Sequence, residues 1–318
     1  MIRSLAIAGL ICASIFAATL TADEPVVKNG SSTESSQSAT ETTPADGEPK
    51  EAPTKERRAG LNVLRQLRER ISEGKPDLSS LRKRIWQVDG VEREAYVYVP
   101  PKLDEKTNPP LVFVFHGHGG TSGFVVRQLP VHQHWPEAVC VYAQGLPTPV
   151  PVLDPEGKRS GWQKFSGDQG DRDLKFFDAM VKSMKDDYHI DAKRVYSTGH
   201  SNGAFFTYVL WAMRNDALAA TAPIAGLISR RDFDGQKSKP VLHIAGEKDS
   251  IVSFSMQERT LERVRELNGC EPEGRPAGEF CTEYTSKNGP PVVAFIHPGG
   301  HEVPKGAAKR IVDFFKEN

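Results

Sequence analysis

Five residues, Gly199-His200-Ser201-Asn202-Gly203, stand between a short β-branched and aromatic run (195–198) and an apolar stretch that begins at Ala204. The run reads as a buried strand and the stretch as a packed helix. A chain that turns from strand to helix in so few residues must bend sharply at the central serine, and the positions two before and two after it must lack bulk. Both are glycine. The bend lifts the Ser201 hydroxyl above a sheet edge and sets it at a helix N-terminus, where the dipole and free N–H groups favour a developing negative charge. The turn therefore implies a layered strand-and-helix fold. It makes Ser201 a nucleophile if the chain also supplies an oxyanion loop upstream and an acid and a histidine downstream.

Not all of the 318 residues belong to that fold. Residues 1–22 carry one early cation, Arg3, then an apolar run and then small residues, the layout of a secretory signal peptide. The apolar run is short for a membrane span. Residues 23–55 are Ser, Thr, Glu, Pro and Ala with almost no large apolar side chain, so they read as a disordered linker. Residues 56–80 hold an amphipathic helix, with Leu61, Val63, Leu64, Leu67 and Ile71 at helical spacing, and a connection. That helix is expected to dock on the folded domain rather than on lipid. Residues 81–318 remain for the catalytic domain.

Lysine plus arginine equals aspartate plus glutamate at 41 each, so no global field draws nucleic acid or an anionic membrane. The chain holds four cysteines. Cys12 leaves with the signal peptide, and Cys140 lies in an apolar run and reads as a core thiol. Cys270 and Cys281 flank a loop bearing Pro and Gly in a chain bound for an oxidising compartment, and are expected to form a disulfide that adds about 2–3 kcal/mol.

Within the domain, two extended runs joined by Asp89-Gly90 predict an antiparallel hairpin. Residues 111–115, Leu-Val-Phe-Val-Phe, are apolar on both faces, as a central parallel strand should be. They open into His116-Gly117-His118-Gly119-Gly120-Thr121-Ser122-Gly123. This glycine-rich loop lacks the Gly-Lys-Ser/Thr ending of a phosphate loop. His116 and His118, with His132 and His134 nearby, could be metal ligands, but an oxyanion loop suits the position better: glycines let a backbone N–H approach a reacting carbonyl. Residues 138–143 predict the next strand, and 144–170 a long connection whose Trp162, Gln163 and Phe165 are expected to shape the substrate cleft. A helix follows at 171–188, with Asp171 a plausible cap and Asp173 either capping or pairing.

Beyond the serine turn, strands are expected at 219–228 and 240–245, a helix at 254–267, a last strand at 292–296 and a closing helix at 305–316. An acid after the strand at 240–245 can reach across the sheet edge to orient a histidine. Asp249 is the choice there, with Glu247 the alternative. His301 follows a glycine pair that lets its loop bend back over the sheet, and His297 is its alternative. His243 lies inside a strand and reads as a core residue, and His189 sits in a surface turn.

With these pieces in place, residues 86–315 resemble the secreted α/β-hydrolase esterases that include polyhydroxybutyrate depolymerases, feruloyl esterases and acetyl xylan esterases, often grouped as carbohydrate esterase family 1. The resemblance rests on residues 110–117, Trp162-Gln163, 188–203, 246–252 and Gly299-Gly300-His301, in that order. It implies the α/β-hydrolase fold, a mostly parallel central sheet with helices on both faces, here preceded by the antiparallel hairpin. Carried onto this chain, it places the nucleophile on Ser201, the acid on Asp249, the base on His301 and the oxyanion donors on the backbone N–H groups of His118 and Asn202. Residue 118 is histidine where relatives carry cysteine or glycine, and no tryptophan follows His301.

The expectation is a secreted (periplasmic or extracellular) serine esterase acting on acyl esters, feruloyl or acetyl, of plant-type polysaccharides. A polyhydroxyalkanoate depolymerase is the alternative within that chemistry. A peptidase or a non-catalytic binding module on the same fold are the alternatives outside it. The chemistry calls for neither metal nor organic cofactor. The partner implied is an ester substrate, with no nucleic acid and no stable membrane association once the leader is removed, and the letters say nothing of oligomeric state.

Overall fold

A computed structural model describes residues 77–103, 108–151, 153–233 and 236–318, all within the compact unit Ala59–Asn318. The expected signal peptide, linker and amphipathic helix lie outside the described residues. Among the described residues no helix is long and apolar enough to cross a membrane.

The chain begins with the expected hairpin, β1 (Leu81–Val88) and β2 (Val91–Tyr98), paired from Leu81↔Tyr98 to Val88↔Val91. Its turn residues Asp89 and Gly90 both have positive φ, 50° and 76°, the primed turn whose twist matches that of the strands. Strand β3 (Leu111–Phe115) follows, then helices α1 (Ser122–Gln128) and α2 (Val131–His134), then β4 (Val139–Ala143). The long connection after β4 is not structureless: β5 (Leu146–Pro147) pairs with β6 (Ser160–Gly161), and a 3₁₀ turn (Asp168–Asp171) leads into α3 (Arg172–Tyr188). Strand β7 (Val195–His200) runs into α4 (Asn202–Met213) and on to β8 (Ala220–Ile224). The short α5 (Arg230–Phe233), β9 (Val241–Gly246) and α6 (Phe254–Asn268) come next. The small strands β10 (Arg275–Pro276) and β11 (Cys281–Tyr284), then β12 (Val292–His297) and α7 (Ala307–Glu317), complete the chain.

Among the described residues these strands form a ten-stranded sheet in the order β1-β2-β4-β3-β7-β8-β9-β12-β11-β10. From β4 to β12 every neighbouring pair is parallel, and both flanks are antiparallel. Both faces are covered, which is why the central strands read as continuous apolar runs. Along β3, Val112 and Val114 face a cluster completed by α1, α2 and α7, while Leu111, Phe113 and Phe115 face one completed by α3 and α4. Beyond α4, Tyr208 and Trp211 join Leu261 and Val264 of α6 over β9 and β12. Because β3, β7, β8, β9 and β12 run in one direction, the loops that follow them emerge at one edge of the sheet.

Two expectations are corrected. The strand predicted over 219–228 stops at Ile224, because Ala225 turns to φ 53° while its N–H donates to Ile244 O at 2.8 Å. A Cβ on the next residue, Gly226, would lie 2.5 Å from the Ala204 side chain, so the chain must leave the sheet there to clear α4. The expected Cys270–Cys281 disulfide is not formed, and both thiols are free. Cys270 pairs across the chain with Ser286, whereas Cys281 lies near the tight end of the β10–β11 hairpin, where Ala277 N–H donates to its carbonyl at 2.9 Å. The five residue steps from position 281 to 286 set the two apart by roughly 15 Å along the extended chain, well beyond the roughly 7 Å of Cα separation a disulfide spans.

Candidate active site

Strand β7 delivers Ser201 at φ 55° and ψ −120°, a strained geometry for a residue with a side chain. Its surroundings dictate that geometry. A Cβ on Gly199 would stand 2.6 Å from the Gly203 carbonyl, and one on Gly203 would stand 2.7 Å from His116 O, so neither position tolerates any side chain. Ser201 N–H donates to Ile224 O at 2.8 Å, and its carbonyl accepts the first helical N–H groups, those of Ala204 and Phe205. The hydroxyl makes no capping bond and is left to other partners.

Its partner is His301. The Ser201 hydroxyl donates to His301 Nε2 at 2.8 Å, and His301 Nδ1–H donates to Asp249 Oδ2 at 2.9 Å. A carboxylate can only accept, which assigns this tautomer. Asp249 is buried, and its Oδ1 accepts the N–H groups of Ile251 (2.9 Å) and Val252 (2.8 Å) while Oδ2 also accepts from Gln257 Nε2 at 3.0 Å. Burial pushes its pKa upward, but His301 and the Val252 and Ile251 N–H groups outweigh it and hold the carboxyl below its ordinary range. The loops carrying acid and histidine are laced together, with Lys248 N–H donating to Gly299 O and Glu247 N–H to His297 O, both at 2.9 Å.

The alternatives stay apart from the serine. Glu247 is exposed, and His297 accepts through Nδ1 from Gly299 N–H at 3.2 Å. His243 bonds the Tyr208 hydroxyl at 2.7 Å in the core, as its place in a strand predicts, and His189 ends α3 in a left-handed turn. His200 lies closer: its ring centre is 4.8 Å from that of His301. Burial, then repulsion from His301, drives its pKa down to about 3, so no second cation competes beside the base.

The loop after β3 lies over the serine, since a Cβ on Gly117 would be 3.4 Å from Ser201 Cβ. His116 is fully used within it: Nδ1–H donates to Gly117 O at 2.8 Å, and Nε2 accepts from Gly145 N–H at 2.9 Å. The backbone N–H groups of His118 and Asn202 donate to no protein acceptor among the described residues. The Asn202 side chain does not share that freedom, because it clamps the Trp162 backbone, accepting from N–H at 2.6 Å and donating to the carbonyl at 3.0 Å. A hydroxyl, an imidazole bonded to it through Nε2, a buried carboxylate and two free N–H groups can together carry out nucleophilic acyl transfer.

Residues 153–269 match the model of the dienelactone hydrolase family. A probable feruloyl esterase C of Aspergillus oryzae is 26% identical over 216 residues, which cover 66% of this chain and 77% of that protein. A bifunctional acetylxylan esterase/xylanase of Neocallimastix patriciarum is 27% identical over 206 residues, 63% of this chain but only 27% of that longer protein. The solved acetyl xylan esterase of Aspergillus awamori superposes with a TM-score of 0.56 at 16% identity, covering 74% of this chain and all of that one. The chain is a carboxylic ester hydrolase of the α/β-hydrolase fold.

In this esterase the residues expected to shape the cleft stand elsewhere. Trp162 is fully buried, stacked on Phe206 at 5.4 Å and edge-on to Phe115, with its indole N–H donating to His116 O at 3.0 Å. Gln163 is also fully buried, and its Oε1 accepts the N–H groups of Asp173 (3.2 Å) and Leu174 (3.3 Å), starting α3 where Asp171 was expected to cap it. Both side chains brace the site from inside and have no surface to offer an acyl group. Asp171 instead accepts from Gly167 N–H and Gln163 Nε2, and Asp173 pairs with Arg93 at 2.8 Å. Phe165 alone of the three stays partly open, with the Arg231 guanidinium 5.4 Å from its ring centre.

Three residues of the esterase's site escaped the sequence reading. His200 was visible only as the free letter of the serine turn. Gln257, which steadies Asp249, lies one turn into α6 and carries no local signal. Asp154, bonded to His118, sits in an irregular segment where an acid reads as a solvated loop residue.

Proposed function

We propose that the esterase works through a Ser201–His301–Asp249 triad and an acyl-enzyme. His301 takes the Ser201 proton as Oγ attacks the ester carbonyl, and Asp249 holds the imidazole tautomer and stabilises its cation. The N–H groups of His118 and Asn202 donate to the tetrahedral oxyanion. His301 then gives its proton to the leaving alcohol, and later activates the water that frees the acid. The observation that carries this reading is the unbroken hydrogen-bond chain from Asp249 through His301 to Ser201.

For the substrate we propose acyl esters of plant-type polysaccharides, feruloyl or acetyl. The reading is supported by the names of the matched relatives, a feruloyl esterase and an acetylxylan esterase/xylanase. Action outside the cytoplasm, supported by the leader-like residues 1–22, fits a polymer that cannot enter the cell. The test pairs wild type with Ser201→Ala on p-nitrophenyl acetate and butyrate, then measures release from feruloylated and acetylated xylan beside polyhydroxybutyrate. Equal turnover by the two proteins would reject the serine. Release from polyhydroxybutyrate but from neither xylan would reject the substrate class.

A further inference from the structure

The oxyanion loop is rich in glycine and has little preference of its own, with Gly119 at φ +73°. Bonds within it and to β6 fix its later residues: Gly120 N–H donates to Gly117 O at 2.9 Å, Gly119 N–H to Ser160 O at 2.7 Å, and the Ser160 hydroxyl to Gly120 O at 2.5 Å. None of these bonds involves residue 118, whose N–H must face the oxyanion. What ties residue 118 down is its side chain, with His118 Nε2 lying 3.1 Å from Asp154 Oδ2.

Asp154 is a fixed anchor. Its Oδ1 accepts Lys158 N–H at 3.1 Å and its Oδ2 accepts Arg159 N–H at 2.8 Å, while its own backbone exchanges two bonds with Val150. Both side chains are over nine-tenths buried. Burial lowers the His118 pKa against the pull of Asp154, and the charges of Arg159 and Lys164 act in the same sense as burial, so the ring is neutral near pH 7. It therefore donates from Nε2 and leaves Nδ1 as a buried acceptor with no partner among the described residues. A bare buried acceptor is a standing cost that an apolar side chain of similar size avoids. Both donor residues also converge on one place, since a Cβ on Gly161 would lie 2.9 Å from His118 Nδ1 and 2.8 Å from Asn202 Oδ1.

We propose that the His118 imidazole and the Asp154 carboxylate are a positioning pair, holding the His118 N–H toward the oxyanion that forms on the ester. This rests on the assignment of that N–H to the oxyanion hole. The expectation is that His118→Leu and Asp154→Asn lower kcat on p-nitrophenyl acetate about tenfold to a hundredfold, less than full loss of an oxyanion donor, with KM within about twofold. Phosphonylation of Ser201 by a p-nitrophenyl phosphonate, which also builds charge on an oxygen in the hole, should slow by a similar factor. His118→Gln, whose amide N–H reaches about as far as Nε2, should recover most of the loss. Unchanged kcat in Asp154→Asn, a rise in KM alone, or a Gln variant as slow as the Leu variant would overturn the pair. Should His118→Leu not fold, the near-isosteric Asp154→Asn decides. Wild-type Ser201 left unlabelled by the phosphonate would instead overturn the triad itself, and the pair with it.

Discussion

Holding a residue with a side chain at the backbone angles of Ser201, φ 55° and ψ −120°, costs about 1–3 kcal/mol. Its neighbours impose that conformation, and in return the hydroxyl is aimed at His301 instead of at its own helix. The same economy governs Asp249, whose Oδ1 is occupied by two backbone N–H groups so that Oδ2 faces His301 and Gln257. An amide at that position can turn its NH₂ toward His301 Nδ1 and so select the wrong tautomer. Asp249→Asn is accordingly expected to lower kcat about 10³–10⁴-fold on p-nitrophenyl butyrate with KM changed only a few-fold. A fall of less than tenfold in steady-state kinetics would mean that something else orients the imidazole. At this scale Ser201, Asp249 and His301 were legible as candidates because each lies in or just after a turn whose glycines are spelled out locally. Gln257 and Asp154 were not, because a helix residue and a loop acid acquire their roles only from what folds against them.

Among the elements, the segment between β4 and α3 departs most from expectation. Its length and aromatic residues suggested a cleft wall, but Trp162 and Gln163 turn inward, where an indole and an amide satisfy buried backbone groups of the oxyanion loop and of α3. A sequence shows an aromatic residue in a loop but not the direction in which the loop folds. The start of α3 also rests on the Arg93–Asp173 pair, whose side chains are 1% and 0% exposed, with the guanidinium 4.2 Å from the Phe176 ring centre. Arg93→Met removes the guanidinium bonded to the buried carboxylate and leaves it only the more distant Arg172, 3.9 Å from Oδ2, and is expected to destabilise the fold by about 3 kcal/mol in urea unfolding. Adding Asp173→Asn should recover part of that loss. A single variant as stable as wild type would show that Arg172 or water compensates the carboxylate and that the Arg93 pair does not hold the start of α3.

Over the whole molecule, parallel strands bring the loops after β3, β7, β9 and β12 to one edge, the usual place for a site in an open α/β sheet. The fold also buries two imidazoles, His116 within the loop beside the site and His243 in the core. Burial holds His116 and His243 at about 4, against an ordinary 6.5. The unfolded chain takes up their protons near pH 6.5 and the folded chain does not. Their stabilising contribution is therefore complete above that pH and is lost as pH falls toward 4, by about 3 kcal/mol for each ring. Melting temperature should drop across that window, and less steeply in His243→Gln. A constant melting temperature from pH 7 to 4.5 would contradict this.

The sequence by itself determined what depends on near neighbours: the glycines flanking Ser201, the Asp89-Gly90 turn and the apolar central strands, all set by steric and solvent contacts within a few residues. Only the tertiary structure decided which acid and which histidine meet the serine, that Cys270 and Cys281 stay apart, and that Trp162 faces inward. The two bonds of His301 join residues 52 and 100 positions apart, and Trp162 bonds His116 across 46, while Cys270 and Cys281, close in sequence, are held apart by the ladder between them. Such distances follow from strand order and register, which no local pattern encodes.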